Sequence, residues 1–198
     1  MKVKNWMVRD LITVRPSTKL PEAIEIMHRH SIRHLPVMEG ERMVGFVTES
    51  NLRQYLLPAA VKEITMEDVM IVDPITVDAE ASIDSAAKII YQHKIGGLPV
   101  MEEGALAGII TITDILAAFI ELMGLLQESS RLDIVLGQGE IDDVLRIIRD
   151  FGGRIISVGV DTKDPARKVY YIRLEKMDLQ PIIDAIEGQG HRVLSVIN

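Results

Sequence analysis

The sequence contains no cysteine, which excludes disulfides, thiolate metal sites and cysteine nucleophiles together. It also lacks a long hydrophobic run, because the apolar stretches around Ile109 and Leu116 are interrupted well short of about 18 residues, so no membrane span is predicted. The opening residues MKVKNWMVRD lack the apolar core of a signal peptide, and we expect a cytoplasmic protein. Positive charge is in deficit, with 22 Lys and Arg against 29 Asp and Glu, which disfavours nucleic acid as a partner.

Catalytic motifs are missing as well. The sequence has no Ser/His/Asp arrangement in a credible context, no P-loop and no G-x-G-x-x-G. The histidines do not favour a metal site, because His28 and His30 are two positions apart and point away from each other on a helix. His30 and His93 are better explained as contacts to a helix C-terminus. We therefore predict no enzyme, no catalytic cofactor and no metal site.

The most informative feature that is present is an internal repeat. An offset of 63 positions aligns Val3–Leu52 with Met66–Ile115 without a gap. The identical pairs include Met7 with Met70, the LPVME segments at 35–39 and 98–102, Gly45 with Gly108, and Thr48 with Thr111. So many matches at one offset indicate a duplicated unit.

Each copy has the same predicted order of elements, βαββα. In the first copy a strand at Ile12–Val14 precedes a helix with apolar residues at helical spacing, from Leu20 to Met27. The strand LPVM, a turn, a strand at Met43–Val47 and a helix from Thr48 to about Leu56 follow. A copy of about 55 residues buries little core alone, so we expect two copies to pack about a pseudo-twofold axis with two related clefts between them.

The most similar parts of the two copies are the segments HSIRHLPVMEGERMVGFVTESNL and HKIGGLPVMEEGALAGIITITDIL. They resemble the two halves of a cystathionine-β-synthase (CBS) domain pair, or Bateman module. The pairing of LPV with a G-h-h-T-x-x-D pattern carries the resemblance across residues 3–117. It implies a module with two clefts that bind adenosine-containing ligands, namely AMP, ADP, ATP or S-adenosylmethionine, as regulatory ligands.

Two roles are open for Thr111 and Asp114. Locally, T-I-T-D fits a capping box, in which both residues bond amides at the start of a helix. The family resemblance instead makes Asp114 an acceptor for a ribose diol and the hydroxyl residues before it phosphate contacts. Cleft A would then combine residues of both copies: Thr13, Ile32, Arg33, His34, Thr111, Thr113 and Asp114.

Cleft B would be formed by the equivalent residues: Thr48, Ser50, Asn51, Arg53, Thr76, Ile95 and Gly96. It departs from the family pattern twice, since Asn51 replaces the aspartate and Gly96 stands where cleft A has Arg33. Arg53 or Lys94 would compensate for the missing phosphate contact. We expect cleft A to be the stronger nucleotide site, with cleft B weak, empty or differently used.

The C-terminal third has the predicted order βαββαβ, a ferredoxin-like arrangement. Its strands are LDIVL, RIISVGVD, KVYYIRL and HRVLSVI, its helices span 140–151 and 178–187, and a turn covers 163–166. This part resembles an ACT domain, which implies dimerisation and an amino-acid site in the loop Gly137, Gln138, Gly139, Glu140 and Ile141. The family's D-x-P-G pattern is absent there, so a dimerisation or spacer role is equally open.

The predicted fold class is therefore α+β, a tandem CBS pair followed by an ACT-like domain. The boundaries are 1–56 for the first CBS motif, 57–65 for a linker, 66–127 for the second motif with a linking helix, and 131–198 for the ACT-like domain. This combination is similar to acetoin-utilisation accessory proteins of the AcuB type, which implies a homodimeric regulator of a partner enzyme. The alternative is a scaffold that oligomerises without a ligand.

Overall fold

The chain is described by a computed structural model that covers residues 1–55, 63–164 and 167–197. It divides into two compact units, Met1–Ala118 and Phe119–Asn198, and the division falls inside the helix Ile112–Leu122. Both units mix helices with strands, in agreement with the predicted α+β class. Residues 57–62 of the predicted linker and residues 165–166 of the predicted turn lie outside the described residues.

The first copy of the repeat consists of α1 (Leu20–His30), β1 (His34–Glu39), β2 (Arg42–Thr48) and α2 (Glu49–Arg53). The strands form an antiparallel hairpin with an irregularity between Val37 and Met38, and Gly40 at the turn has a φ of 63°. Helix α1 begins at Leu20, has Pro21 in its first turn, and ends where Ser31 turns left-handed. The predicted end of the second helix at Leu56 lies outside the described residues.

The second copy contains α3 (Met66–Val69), β3 (Val77–Asp78), α4 (Ile83–His93), β4 (Gly97–Glu102), β5 (Ala105–Thr111) and α5 (Ile112–Leu122). Its hairpin repeats the irregularity of the first, between Val100 and Met101. Strand β3 pairs in parallel with β4. In the first copy the equivalent pairing is a single bridge between Val14 and Val37. The strand predicted at 12–14 is therefore too long. The chain turns directly after it, where the Arg15 amide donates to Thr18 Oγ1.

The opening segment of each copy packs on the other copy. Val8 exchanges two backbone hydrogen bonds with Ile109, of 2.9 and 3.0 Å, and Ile71 does the same with Phe46. Met66, at the start of the second copy, is fully buried in the core of the first. That core consists of Val14, Leu20, Ala23, Met27, Leu35, Val37, Val47, Leu52, Met66 and Val69. Since each copy completes the other's sheet and core, the two form one folding unit.

The C-terminal unit contains β6 (Ser129–Val135), α6 (Ile141–Asp150), β7 (Ile155–Asp161), β8 (Val169–Glu175), α7 (Gln180–Gly188) and β9 (Arg192–Ile197). This is the predicted order βαββαβ, and the antiparallel sheet has the strand order β7-β8-β6-β9. Leu132 and Ile134 of the central β6 pack with Ile148 and Ile182 in a core between sheet and helices. On the opposite face, Arg131 makes a bidentate pair with Asp133, at 2.8 and 3.0 Å.

The connection between the repeat and the C-terminal sheet differs from the prediction. Helix α5 ends at Leu122 rather than at Gln127, because Gly124 takes a φ of 66° and the Leu125 amide bonds back to Ile120. Strand β6 begins at Ser129, two residues before the predicted start of the ACT-like domain at 131. The residues after α5 lie on the sheet, where the Ser157 hydroxyl donates to the Met123 carbonyl at 3.1 Å. The domain boundaries themselves stay predictions.

Candidate functional site

Thr111 and Asp114 form local hydrogen bonds at the start of α5. The carboxylate oxygen Oδ2 of Asp114 accepts from the Thr111 amide at 2.8 Å and from the Thr111 hydroxyl at 2.7 Å. In the first copy, the Asn51 amide donates to Thr48 Oγ1 at 3.2 Å, and the Thr48 hydroxyl donates to the Asn51 side-chain oxygen. Both pairs therefore have a role at the start of a helix, whatever ligand they meet.

Cleft A is a cavity of about 220 Å³. Five of the predicted residues line it, namely Ile32, Arg33, His34, Thr111 and Thr113, and six further residues complete the wall: Val8, Asp10, Leu11, Ile12, Ser31 and Ile109. Thr13 and Asp114 are not among the lining residues, although Asp114 accepts hydrogen bonds from Thr111, which does line the cavity. Sequence reasoning missed Val8 and Ile109. These two residues pair with each other as Ile71 and Phe46 do at the equivalent positions of the repeat.

Cleft B is larger, at about 640 Å³. Six of its seven predicted residues line it, namely Thr48, Ser50, Asn51, Arg53, Ile95 and Gly96, whereas Thr76 does not. Lys94, which was considered as a replacement phosphate contact, also lines the cavity. The remaining wall is formed by Arg33, His34, Glu49, Ile71, Ile112 and Thr113. Cleft B thus contains the first-copy arginine that the sequence comparison had assigned to cleft A alone.

Arg33, His34 and Thr113 line both clefts. The His34 ring stacks on Phe46, with centroids 5.8 Å apart and planes inclined by 21°. Burial lowers the pKa of His34, the adjacent Arg33 lowers it further, and Asp114 acts in the opposite direction. The imidazole is therefore uncharged near neutral pH, and it forms a flat wall between the two cavities.

Charged side chains are distributed unequally. Among the lining residues of cleft A, Arg33 is accompanied by the carboxylate of Asp10. Cleft B has three cations, Arg33, Arg53 and Lys94, and one carboxylate, Glu49, which accepts from Arg53 at 3.0 Å. That hydrogen bond is the main reason why the pKa of Glu49 is lowered, so Glu49 is ionised and already paired.

A third cavity, of about 890 Å³, is an open groove beside α4 and α5. Its wall is mainly apolar and consists of Ala87, Ile90, Tyr91, Gln92, Lys94, Ile95, Gly96, Ile112 and Ile115. Tyr91 is 85% exposed. Although this groove is larger than either cleft, it has few groups that would recognise a ribose or a phosphate, so we do not assign the ligand site to it.

The predicted loop of the C-terminal unit lies against the start of β9. The Gly137 amide donates to Nδ1 of His191 at 3.2 Å, and His191 is only 4% exposed. A Cβ atom at Gly137 would come within 2.0 Å of the Gly190 carbonyl oxygen, which explains a glycine at this position. Glu140 begins the capping box of α6. Sequence reasoning missed His191, which is 54 residues away from the loop that it supports.

Two kinds of feature are absent from the part of the chain that the structure describes. No group of three or more His, Asp or Glu side chains is arranged there to hold a metal ion. No helix in the same residues has both the length and the apolar composition needed to cross a membrane. Cleft A and cleft B, which combine polar and charged side chains with apolar walls, are the principal candidate site.

The CBS domain family matches this chain at residues 3–58 and 63–121. Among curated proteins, inosine-5'-monophosphate dehydrogenase of Korarchaeum cryptofilum (strain OPF8) is 37% identical over 115 residues, which are 58% of this chain and 23% of the relative. The chain spans only 23–39% of the length of this relative and two further dehydrogenases of the same name.

Solved structures of CBS-domain proteins resemble the same part of the chain. The CBS pair of protein MJ0100, in complex with 5'-methylthioadenosine and S-adenosyl-L-methionine, is 28% identical with a TM-score of 0.55, over 60% of this chain and 95% of that one. CBSX2 in complex with AMP is 25% identical with a TM-score of 0.54, over 61% and 96%. The Vibrio cholerae protein named for acetoin utilization, AcuB, is 30% identical with a TM-score of 0.57, over 65% and 96%.

The family match includes both copies of the repeat and more than half of the chain. The structure adds the matching hairpins and the exchanged opening segments of the two copies. On these grounds the chain belongs to the CBS-domain family, with a tandem pair of CBS domains at residues 3–121.

Proposed function

We propose that this protein is a non-catalytic regulator whose CBS pair binds an adenosine-containing ligand, an adenine nucleotide or S-adenosylmethionine. The observation that carries the proposal is the presence of two related cavities built from both copies, with Thr111 and Thr113 at one and Thr48 and Asn51 at the other. Hydroxyl, amide and carboxylate groups beside an apolar wall suit a ribose and an adenine. The adenosine ligands of the MJ0100 and CBSX2 structures support this ligand class.

We further propose that ligand binding changes the position of α5 and thereby acts on the C-terminal unit or on a partner enzyme. The first residues of α5, Ile112 and Thr113, line cleft B. The segment after the helix is attached to the C-terminal sheet, through the Met123 carbonyl and through Ser129, whose hydroxyl accepts from Arg173 at 2.7 Å. A ligand shifts such an equilibrium only if it binds one state more tightly than the other.

The C-terminal unit is proposed to be an ACT-like regulatory or dimerisation domain, on the basis of its βαββαβ order. The likeness to the Vibrio cholerae AcuB protein supports an accessory role toward acetoin-utilising enzymes. The likeness to the dehydrogenase relatives does not extend this proposal to their activity, because the alignment with the first of them covers only 23% of that enzyme.

A ligand-independent scaffold is the second candidate, and one observation favours it. Tyr91, Ile112 and Leu116 are exposed by 85%, 53% and 55% beside the open groove of α4 and α5. An apolar surface of this kind suits self-association. Sedimentation of the wild type and of Tyr91→Ser would test it, because a scaffold dimer should dissociate on this change whether or not an adenosine ligand is added.

The ligand proposal is tested by titrating AMP, ADP, ATP, S-adenosylmethionine and 5'-methylthioadenosine calorimetrically into the wild type and Asp114→Ala. We expect at least one ligand to bind the variant about tenfold more weakly, since a charge-assisted acceptor is lost. Asp84→Ala is the matched control, because it removes an acidic residue from the first turn of α4. Equal affinities for every ligand in the wild type and Asp114→Ala would show that Asp114 has no ribose role.

Hydrogen exchange tests the proposed transmission. We expect saturating ligand to change the exchange of backbone amides in α5, because its first turn lines the cleft. Unchanged exchange throughout α5 at saturation would contradict the transmission step and leave ligand binding itself intact.

A further inference from the structure

The centre of the CBS pair is asymmetric for a steric reason. Under the repeat, Arg33 and His34 correspond to Gly96 and Gly97. A Cβ atom on Gly96 would lie 3.1 Å from Nε2 of His34, and one on Gly97 would lie 3.3 Å from Cε1. The His34 ring therefore stands close against Gly96, and it also faces Gly97, where the Ile110 carbonyl oxygen is similarly near at 3.1 Å. Only one copy supplies the arginine and the ring, and both clefts share them.

The shared arginine, Arg33, has different charged neighbours in the two clefts. In cleft A it is the only Lys or Arg among the lining residues, and Asp10 opposes it. In cleft B, Arg53 and Lys94 join it, and Glu49 is already bonded to Arg53. A phosphate dianion gains more in the second environment than in the first, because three cations attract it there. Arg33, Arg53 and Lys94 are exposed, so this attraction is screened by salt.

The residues at the predicted ribose positions add to this difference. For cleft A the predicted ribose acceptor is the carboxylate of Asp114, which is hydrogen-bonded to the lining residue Thr111 and interacts electrostatically with His34. At cleft B the equivalent residue is the neutral amide of Asn51. A second nearby carboxylate makes cleft A less favourable for an anion, whereas Asn51 adds no repulsion to cleft B.

The volumes of the cavities agree with the charges. Cleft A, at about 220 Å³, lies below the usual range for ligand pockets, whereas cleft B, at about 640 Å³, lies inside it. The larger and more cationic cavity has room for a nucleoside together with its phosphates. The smaller one leaves less room for a phosphate group beside a nucleoside.

We propose that the two clefts separate adenosine ligands by charge: cleft B receives the phosphorylated nucleotide, and cleft A receives an adenosine ligand without phosphate. This inference rests on the proposed function, because it assigns ligand classes to the same two cavities. It reverses the expectation from the sequence that cleft A is the stronger nucleotide site. The two ligands then bind side by side, with Arg33 and His34 between them.

The test uses the whole chain and two probes, AMP and 5'-methylthioadenosine, measured by calorimetry. Lys94→Gln removes a cation from cleft B and should weaken AMP about tenfold while changing 5'-methylthioadenosine less than about twofold. Asp114→Ala should show the opposite selectivity, and Asp84→Ala should affect neither ligand. AMP should also bind with unchanged affinity to protein that is saturated with 5'-methylthioadenosine.

Three results would overturn the inference: AMP weakened by Asp114→Ala but not by Lys94→Gln, equal effects of either variant on both ligands, or displacement of AMP by 5'-methylthioadenosine. Each of these leaves the proposed function standing, because adenosine ligands still bind. If neither these probes nor ADP, ATP and S-adenosylmethionine bind the wild type, the proposed function fails, and this inference fails with it.

Discussion

Substitution of Gly108 by alanine tests the crossed packing of the two copies. Gly108 lies in β5 under the opening segment of the first copy, and a Cβ there would be 2.6 Å from Met7 Sδ and 2.8 Å from the Val8 carbonyl oxygen. That carbonyl is fixed, because Val8 and Ile109 exchange two backbone hydrogen bonds. The new methyl group must therefore displace backbone and not only a flexible side chain.

The repeat supplies a matched control at Gly45. The three nearest atoms to a Cβ there all belong to the Met70 side chain, at 2.4, 2.7 and 3.0 Å, and a methionine can change rotamer. Overpacking costs about 1–3 kcal/mol, and alanine regains about 0.5–1 kcal/mol over glycine in a strand. We expect Gly108→Ala to lower the free energy of unfolding by about 2 kcal/mol and Gly45→Ala by about 1 kcal/mol.

Urea unfolding followed by tryptophan fluorescence is the assay, since Trp6 is the only tryptophan and lies next to Met7. Both variants should unfold at lower urea concentration with an unchanged m-value. The reasoning is refuted if Gly108→Ala is as stable as the wild type, or if Gly45→Ala is the more damaged of the two.

Two further outcomes follow from the structure. Burial and Arg33 lower the pKa of His34 from 6.5, so the unfolded chain binds this proton more readily, and stability should fall as the pH drops below about 6.5. Urea unfolding at several pH values should show that the stability of His34→Gln depends less on pH than that of the wild type. An equal dependence on pH in both proteins would contradict the assignment. Asp133 is buried, pairs with Arg131 and accepts a hydrogen bond from Ser195 at 2.6 Å. Thermal unfolding should show that Asp133→Ala lowers the free energy of unfolding by about 1–3 kcal/mol, whereas Glu25→Ala, from an exposed ion pair, changes it by less than about 0.5 kcal/mol. Similar losses in the two variants would contradict this prediction.

Much of the local structure follows from the sequence because its causes are local. The period of the apolar residues predicts α1 and α4, and the LPVM segments predict β1 and β4. The element order of the C-terminal unit is also as predicted. The incorrect predictions concern the ends of elements. Helix α5, for example, ends at Leu122 because Gly124 adopts a left-handed conformation. A glycine permits that conformation without requiring it, so the helix end was not readable from the pattern.

The candidate site was predicted in part for the same reason. The repeat transfers residues from one copy to the other, and most predicted members of both clefts do line a cavity. What it cannot transfer is the effect of one copy on the other. Thr13 and Thr76 are equivalent under the repeat, and both remain outside the lining residues, although Ile12 beside Thr13 lines cleft A.

The sequence by itself determined the duplication, the CBS resemblance and the difference between Asp114 and Asn51, because each is a property of residue types at fixed spacing. Only the tertiary structure decided that the opening segments exchange between copies and that Arg33 serves both clefts. The physical reason is excluded volume at the centre of the pair. The His34 ring of the first copy lies against Gly96 and Gly97 of the second, and no pattern along the chain reveals which residues meet there.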